Sequence, residues 1–231
     1  MTVFRLKQLA SNSFHAAADA MHWNYDRAEL IADGVIHAVG ICFGLVAATV
    51  LIVLASVYAT PLDIVVSSIY VAGLLAMFGL SATYNLWPVS RAKWLLRRFD
   101  HSAIYMLIAA TYTPFIMEVK GSLLAIALLI GVWCAAIGGI VLKLRYPGRF
   151  DRLSVGLYLV MGWSGLMLYD SVVKALPAMA IGFVIAGGIL YSLGVVFHTW
   201  QRLRFQNAIW HGFVLCGAAC HYTAVLDIVL K

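Results

Sequence analysis

Seven long apolar runs account for most of this 231-residue chain. A helix needs roughly 20 apolar residues to cross the hydrocarbon core of a bilayer, which is about 30 Å thick. The third and fifth runs are short, and each reaches that length only if its helix continues into polar neighbours. The pattern predicts an all-α fold, a polytopic membrane protein built as a bundle of seven transmembrane helices. The runs are Val35–Ser56, Val65–Leu86, Ser102–Met117, Ser122–Leu142, Leu153–Leu168, Ala178–Phe197 and Ala208–Leu230.

The composition excludes two broad classes of protein. With 63% hydrophobic and 11% charged residues, the chain differs strongly from an ordinary soluble domain. A nucleic-acid-binding protein would show a basic face on an otherwise soluble domain, and this pattern is not found. The net charge of +6 is instead explained by basic loops that attract anionic lipid. The four cysteines all lie within the apolar runs, so a disulfide framework of the secreted kind is not expected.

The lysines and arginines fall almost entirely on one side of the predicted spans. Of the 16 in the chain, only Lys120, Lys174 and Lys231 fall on the other side. Cytoplasmic loops of membrane proteins are enriched in these residues. The distribution therefore predicts a cytoplasmic N-terminus and a C-terminus outside.

The chain is predicted to hold one transmembrane domain, residues 35–231, after a short segment, residues 1–34. Charged residues such as Asp19 and Arg27 interrupt this segment, so it lacks the apolar core of a secretory signal. Two interpretations stay open: a short helix on the membrane surface, or a loose cytosolic tail. Gly40 and Gly44 have the spacing of close helix contact, inside the bundle or between copies, and the oligomeric state stays open.

Polar side chains from five predicted helices converge at one depth, on the cytoplasmic side. Ionisable residues inside spans are costly and usually mark function. Two pairs, Ser81 with Asn85 and Asn207 with His211, are one turn apart and so share a helix face. Together with a carboxylate from a third helix, they could surround a metal ion or a bound water. The convergent residues are His37, Ser81, Asn85, Asp100, His101, His198, Asn207 and His211.

Each of these residues also has a purely structural interpretation. Asp100 could be a helix N-terminal carboxylate that offsets the dipole, and Ser81 could bond its own helix backbone. His101 and His198 lie at span boundaries, where contact with water or headgroups is the simpler role. His221 lies ten residues beyond His211, about 15 Å deeper, and is expected to bond a neighbouring helix.

Four sequence stretches resemble the bacterial hemolysin III family, the prokaryotic branch of the progestin and adipoQ receptors. They are Ser81-Ala-Thr-Tyr-Asn-Leu-Trp-Pro, Arg97-Arg-Phe-Asp-His-Ser-Ala-Ile-Tyr, Thr111-Tyr-Thr-Pro-Phe and Asn207-Ala-Ile-Trp-His-Gly-Phe-Val-Leu. Asp33-Gly-Val-Ile-His37 fits the same pattern. The resemblance implies a seven-helix bundle in the inner (plasma) membrane, a zinc ion near the cytoplasmic face, and similarity to membrane-embedded ceramide hydrolases.

The zinc positions are where this chain departs from the family pattern. The resemblance implies one histidine ligand on the second span, two on the seventh, and a water held by the aspartate that opens the third. Here the first two ligand positions are Asn85 and Asn207, and only His211 is a histidine. Amide oxygens are not among the usual ligands of zinc, so zinc is expected to bind weakly or not at all. A site rebuilt with His37 or His101 is the alternative.

Two functions follow as expectations. The first is a metal-poor sensor or regulator of membrane homeostasis, whose partner is a membrane lipid or fatty acid held between the helices. Its polar network would join Ser81, Asn85, Asp100, Asn207 and His211. The second is a metal-dependent lipid amide hydrolase. In that case Ser81 and Asp100 would position the attacking water, and a metal on His211 would polarise it.

Overall fold

The computed structural model describes residues 25–146 and 149–231, and all regular secondary structure among these residues is helical. This confirms the all-α prediction. A 3₁₀ turn, Ser164–Leu168, separates α5 from α6. The helices are α1 Arg27–Tyr58, α2 Pro61–Leu86, α3 Arg91–Glu118, α4 Leu123–Arg145, α5 Asp151–Trp163, α6 Tyr169–Ala175, α7 Ala178–Thr199 and α8 Gln206–Val229.

Six of these segments are long and apolar enough to cross a membrane. They are α1, α2, α4, the broken unit Asp151–Ala175, α7 and α8. Helix α3 has the length, but its first third is charged and Thr111, Thr113 and Pro114 interrupt its apolar part. Many of its side chains are buried, and it packs against α2 and α4. A helix enclosed by other helices can carry polar residues that a lipid-facing helix cannot.

Helix α1 begins at Arg27, ahead of the apolar run that starts at Val35. Asp26 accepts the backbone N–H of Glu29 at 2.8 Å, and Glu29 accepts the N–H of Asp26 at 2.9 Å. This reciprocal capping box stabilises a helix start, and the bond from Glu29 lowers the pKa of Asp26. The predicted segment 1–34 is therefore helical from Arg27 onward, and its residues 1–24 lie outside the described residues.

The break after α5 is closed by one tyrosine from α3. The Tyr112 hydroxyl lies 2.8 Å from the Met161 carbonyl oxygen and 2.9 Å from that of Gly162. It also accepts the N–H of Gly165 at 2.7 Å. Broken helices at membrane depth require such partners for the backbone groups they release.

Close contacts between helices depend on small residues. A side-chain carbon built at Gly73 of α2 would lie 2.6 Å from the Cβ atom of Ala110 on α3. Carbons built at Gly40 and Gly44 of α1 would lie 3.0–3.1 Å from the ring of Phe78 on α2. The GxxxG pair therefore serves a contact inside the bundle.

A charged cluster joins α3, α4 and α5 where α3 and α5 begin and α4 ends. Asp151 accepts hydrogen bonds from Lys143 at 2.6 Å and from Arg97 at 2.7 Å. The side chain of Lys143 is only 2% exposed, whereas that of Asp151 is 38% exposed. Lys143 directly follows the fourth apolar run, which ends at Leu142, so the sequence predicts a loop position for it. It is instead a buried residue of α4, because this carboxylate neutralises it.

Candidate functional site

The candidate site is centred on Asp33, a residue of α1 that is 5% exposed. Its Oδ1 atom lies 2.6 Å from Nδ1 of His211, and its Oδ2 atom accepts a hydrogen bond from Nδ2 of Asn207 at 2.9 Å. Both partners belong to α8. A buried carboxylate needs such donors because it has lost its hydration. Asp33 therefore fixes α8 against α1 at this depth.

Further contacts outside the core hold the same two helices in register. Arg204 pairs with Asp26 at 3.1 Å, and Glu29 accepts the N–H of Phe205 at 3.0 Å. Tyr25 lies beside these groups, and burial raises its pKa above the usual value. The start of α8 is thus set by residues that precede the apolar part of α1.

The two asparagines extend the polar chain from Asp33 to α2. Asn207 donates to Oδ1 of Asn85 at 3.1 Å. Asn85 in turn donates to the carbonyl oxygen of Ser81 at 2.9 Å and to the Ser81 hydroxyl at 3.3 Å. The amides therefore act as hydrogen-bonding groups that connect α1, α2 and α8.

His37 completes the cluster one turn after Asp33. Its Nε2 atom lies 3.5 Å from Oδ2 of Asp33, and its ring centroid lies 4.4 Å from that of His211. It is 5% exposed, and its Nε2 atom has no hydrogen-bond partner among the described residues. Asp33, His37 and His211 each offer a ligand atom, and these atoms all lie within 4.8 Å of one another.

Lys93 of α3 holds the end of α2. Its ammonium group donates to the carbonyl oxygens of Asn85 at 3.0 Å and Trp87 at 2.9 Å. A cation at a helix C-terminus stabilises the unpaired carbonyls there. This contact fixes the backbone of Asn85, whose side chain belongs to the polar chain described above.

A cavity of about 320 Å³ opens beside these groups. All five residues of the predicted network line it: Ser81, Asn85, Asp100, Asn207 and His211. Asp100 and Ser81 are buried. The five form the polar end of the cavity together with the charged side chains of Arg97, Lys143 and Asp151. The rest of the lining combines apolar and polar side chains: Met77, Ile104, Leu107, Ile108, Val155, Leu159, Val195 and Val214, with Thr111, Tyr112, Tyr191, Ser192 and His221 among them.

The remaining predicted histidines lie apart from Asp33. His101 and His198 line the cavity and are partly buried, with the His198 ring against Trp210. His101 lies 3.9 Å from Asp151, so it faces the charged cluster. Nε2 of His221 lies 3.2 Å from the carbonyl oxygen of Val184 on α7, which is the neighbouring-helix contact expected from the sequence.

Comparisons with known proteins identify the family of this chain. A family model described as Haemolysin-III related matches residues 28–222. This chain belongs to the hemolysin III family. It is 37% identical to Hemolysin-3 homolog of Bacillus subtilis (strain 168) over 203 residues, 88% of this chain and 95% of the relative. It is 36% identical to Hemolysin-3 of Bacillus cereus over 202 residues, 87% and 92% of the two chains.

This chain also has eukaryotic relatives. Monocyte to macrophage differentiation factor of Homo sapiens is 32% identical over 165 residues, 68% of this chain and 67% of the relative. Heptahelical transmembrane protein ADIPOR2 of Oryza sativa subsp. japonica is 25% identical over 186 residues, 71% and 81% of the two chains. The chain is thus a hemolysin III-family membrane protein with relatives in the wider receptor family.

The zinc implied by the family resemblance does not fit at the two asparagine positions. Oδ1 of Asn85 is already an acceptor for Asn207, and the amide of Asn207 donates to Asp33. Zinc prefers thiolate, imidazole and carboxylate ligands, and these amides are used within the protein network. Only His211 of the family's expected ligand positions carries a suitable donor.

Asp33 is the residue that sequence reasoning missed. The motif Asp33-Gly-Val-Ile-His37 fits the family pattern, but the resemblance implies no role for its carboxylate. One signal was present: residues four apart share a helix face, so Asp33 had to lie beside His37. A carboxylate next to a histidine, in a helix whose other neighbours are apolar, indicates a buried polar site.

Proposed function

We propose that this hemolysin III-family protein is a lipid-binding sensor or regulator of membrane homeostasis. It would hold one membrane lipid or fatty acid in the cavity, with the polar end of the lipid at Ser81, Asp100 and His211. The supporting observation is the cavity itself, whose lining joins the polar network to a set of apolar side chains that includes Met77, Leu107 and Val214. This combination matches a ligand with a polar head and a hydrocarbon chain.

The proposal includes the topology expected from the sequence. Helix α3 would be the seventh span, enclosed by α2 and α4, in the inner (plasma) membrane. The basic residues at the beginning of α3 would face the cytoplasm, and so would the polar end of the cavity. The head of a bound lipid would then lie at the level of the cytoplasmic leaflet.

Filling the cavity should weaken lipid binding. Val195 of α7 lines the cavity, whereas Val196, the next residue, is 55% exposed on the outer surface. We expect Val195→Trp to weaken binding of a fluorescent fatty acid at least about tenfold, a loss of about 1.4 kcal/mol. The measurement is a fluorescence titration of the purified protein in mild detergent, with Val196→Trp as the matched control.

The control isolates the cavity because both variants carry the same bulky side chain on the same helix. Val196→Trp should bind the probe as the unmodified protein does. Equal affinity of the two variants would rule out the cavity as the binding site. So would an unmodified protein that binds no fatty acid.

A lipid amide hydrolase is the second candidate. The observation that favours it is the placement of Asp100 and Ser81 on the cavity wall that also holds His211. In this reaction water would break the amide C–N bond and release a fatty acid and an amine. Asp100 would accept a proton from the attacking water and pass it to the leaving nitrogen, so that the amine is released neutral.

Incubation with a short-chain ceramide distinguishes the two candidates, with released fatty acid measured by mass spectrometry. If the chain is a hydrolase, Asp100→Asn should reduce release by about 100-fold, the scale of general base catalysis. Asp170→Asn, at an exposed position of α6, is the control. Unchanged turnover in Asp100→Asn would remove Asp100 from the reaction.

A further inference from the structure

We infer that Asp33, His37 and His211 bind one divalent transition-metal ion. This ligand set differs from the one the family resemblance implies, because two of its three members come from α1. The sequence predicts little metal, because only His211 remains of the family's ligand histidines, with a site rebuilt with His37 or His101 as the alternative. The structure adds a carboxylate and a second imidazole within 4.8 Å.

The donor geometry is close to what an ion needs. Ligand atoms lie about 2.0–2.2 Å from zinc, so neighbouring donors in a tetrahedral site are about 3.3 Å apart. Oδ2 of Asp33 and Nε2 of His37 are 3.5 Å apart, and Oδ1 of Asp33 is 2.6 Å from Nδ1 of His211. The ion would replace the hydrogen bond between Asp33 and His211, and the ligand atoms of all three residues already lie within 4.8 Å of one another.

The second observation is the unpaired nitrogen of His37. A buried polar atom without a partner costs about 1–3 kcal/mol, and protein interiors rarely leave one. Nε2 of His37 has no hydrogen-bond partner within the described ranges, yet it faces the carboxylate of Asp33. A cation between the two would satisfy both groups.

Surrounding residues are placed to orient the ligands. Asn207 donates to Oδ2 of Asp33 at 2.9 Å, and Asn85 holds Asn207 in place at 3.1 Å. Hydrogen bonds to ligating carboxylates are typical of metal sites and tune their affinity. The asparagines at the family's ligand positions would thus support the site without coordinating the ion.

The chemistry of the donors limits the class of ion. Two imidazoles and one carboxylate bind zinc in several hydrolases and ferrous iron in oxygenases. Hard cations such as magnesium prefer oxygen ligands only. We therefore expect zinc or cobalt to bind, and magnesium not to compete at equal concentration.

Metal uptake tests the inference directly. The full chain in mild detergent is stripped with a chelator, dialysed and titrated with Co²⁺, whose visible absorption reports a tetrahedral environment. A second stripped sample is dialysed against zinc, and its zinc content per chain is measured by mass spectrometry. We expect about one ion per chain, as for a three-ligand site.

The ligand variants should lose that uptake. We expect His37→Gln and Asp33→Asn each to weaken Co²⁺ binding at least about 100-fold, beyond the 10- to 100-fold typical of residues that only support a site. His221→Gln is the matched control, because His221 is a histidine of α8 whose Nε2 atom faces the Val184 carbonyl oxygen instead. Size-exclusion chromatography confirms that each variant is folded.

Three outcomes would overturn the inference. The first is stripped protein that takes up less than about a tenth of an ion per chain, far below the single ion of a three-ligand site. The second is full affinity in either His37→Gln or Asp33→Asn. The third is an equal loss in His221→Gln. The inference does not depend on lipid binding, since the fatty acid titration of Val195→Trp requires no metal.

Discussion

Replacing Asp151 by asparagine is expected to lower the free energy of unfolding by about 3 kcal/mol. Lys143 is 2% exposed and its ammonium group lies 2.6 Å from Asp151, which also holds Arg97 at 2.7 Å. Removing one partner of a buried ion pair costs about 3–5 kcal/mol, because the other charge is left buried and unpaired. The lower end of that range applies because Asp151 is itself 38% exposed.

Thermal unfolding in detergent measures this loss, with Asp170→Asn as the control at an exposed aspartate. A second variant, Asp151→Asn combined with Lys143→Met, removes the more deeply buried of the two charges that lose their partner and should recover part of the stability. An unfolding temperature that is unchanged in Asp151→Asn would show that Lys143 is not held by this carboxylate.

The Gly73→Ala substitution is expected to cost a similar amount, about 2–3 kcal/mol. The added carbon would lie 2.6 Å from the Cβ atom of Ala110 and 3.5 Å from the Cα atom of Leu107. These atoms belong to the backbone or are fixed to it, so α2 and α3 would have to move apart. Overpacking of this kind costs about 1–3 kcal/mol, and the upper half applies because no flexible side chain can yield.

Gly79→Ala provides the comparison on the same helix. A carbon built at Gly79 meets nothing within 4 Å among the described residues. The unfolding temperature of the Gly79→Ala variant should stay the same or rise slightly, because alanine is the better helix former. Equal destabilisation by the two substitutions would mean that the contact between α2 and α3 is not as close as described.

Much of the fold could be predicted because the bilayer limits what an apolar run can become. Each predicted run lies largely within one helical segment, and the short third and fifth runs do continue into polar neighbours, at Arg91 and Asp151. Depth could also be estimated by counting residues from the span ends. For this reason Ser81, Asp100 and His211 were expected at one level, and they line one cavity.

The remainder depended on contacts between helices, which hydropathy does not record. The start of α1 at Arg27 comes from a capping box, and the burial of Asp33 comes from the approach of α8. Lys143 was counted as a loop cation because a lysine near a span end is normally solvated. Its partner, Asp151, lies on another helix, so the ion pair cannot be predicted from the hydropathy of each span taken separately.

The ammonium group of Lys93 fixes the turn between α2 and α3. It ties α3 to the carbonyl oxygens of Asn85 and Trp87, while Ile104 and Leu107 of α3 form part of the cavity wall. A molecule that enters the cavity and pushes this wall outward would therefore also pull on Asn85. Asn85 is bonded to Asn207, and Asn207 to Asp33, so one chain of hydrogen bonds leads from the cavity wall to the residues proposed to hold a metal ion.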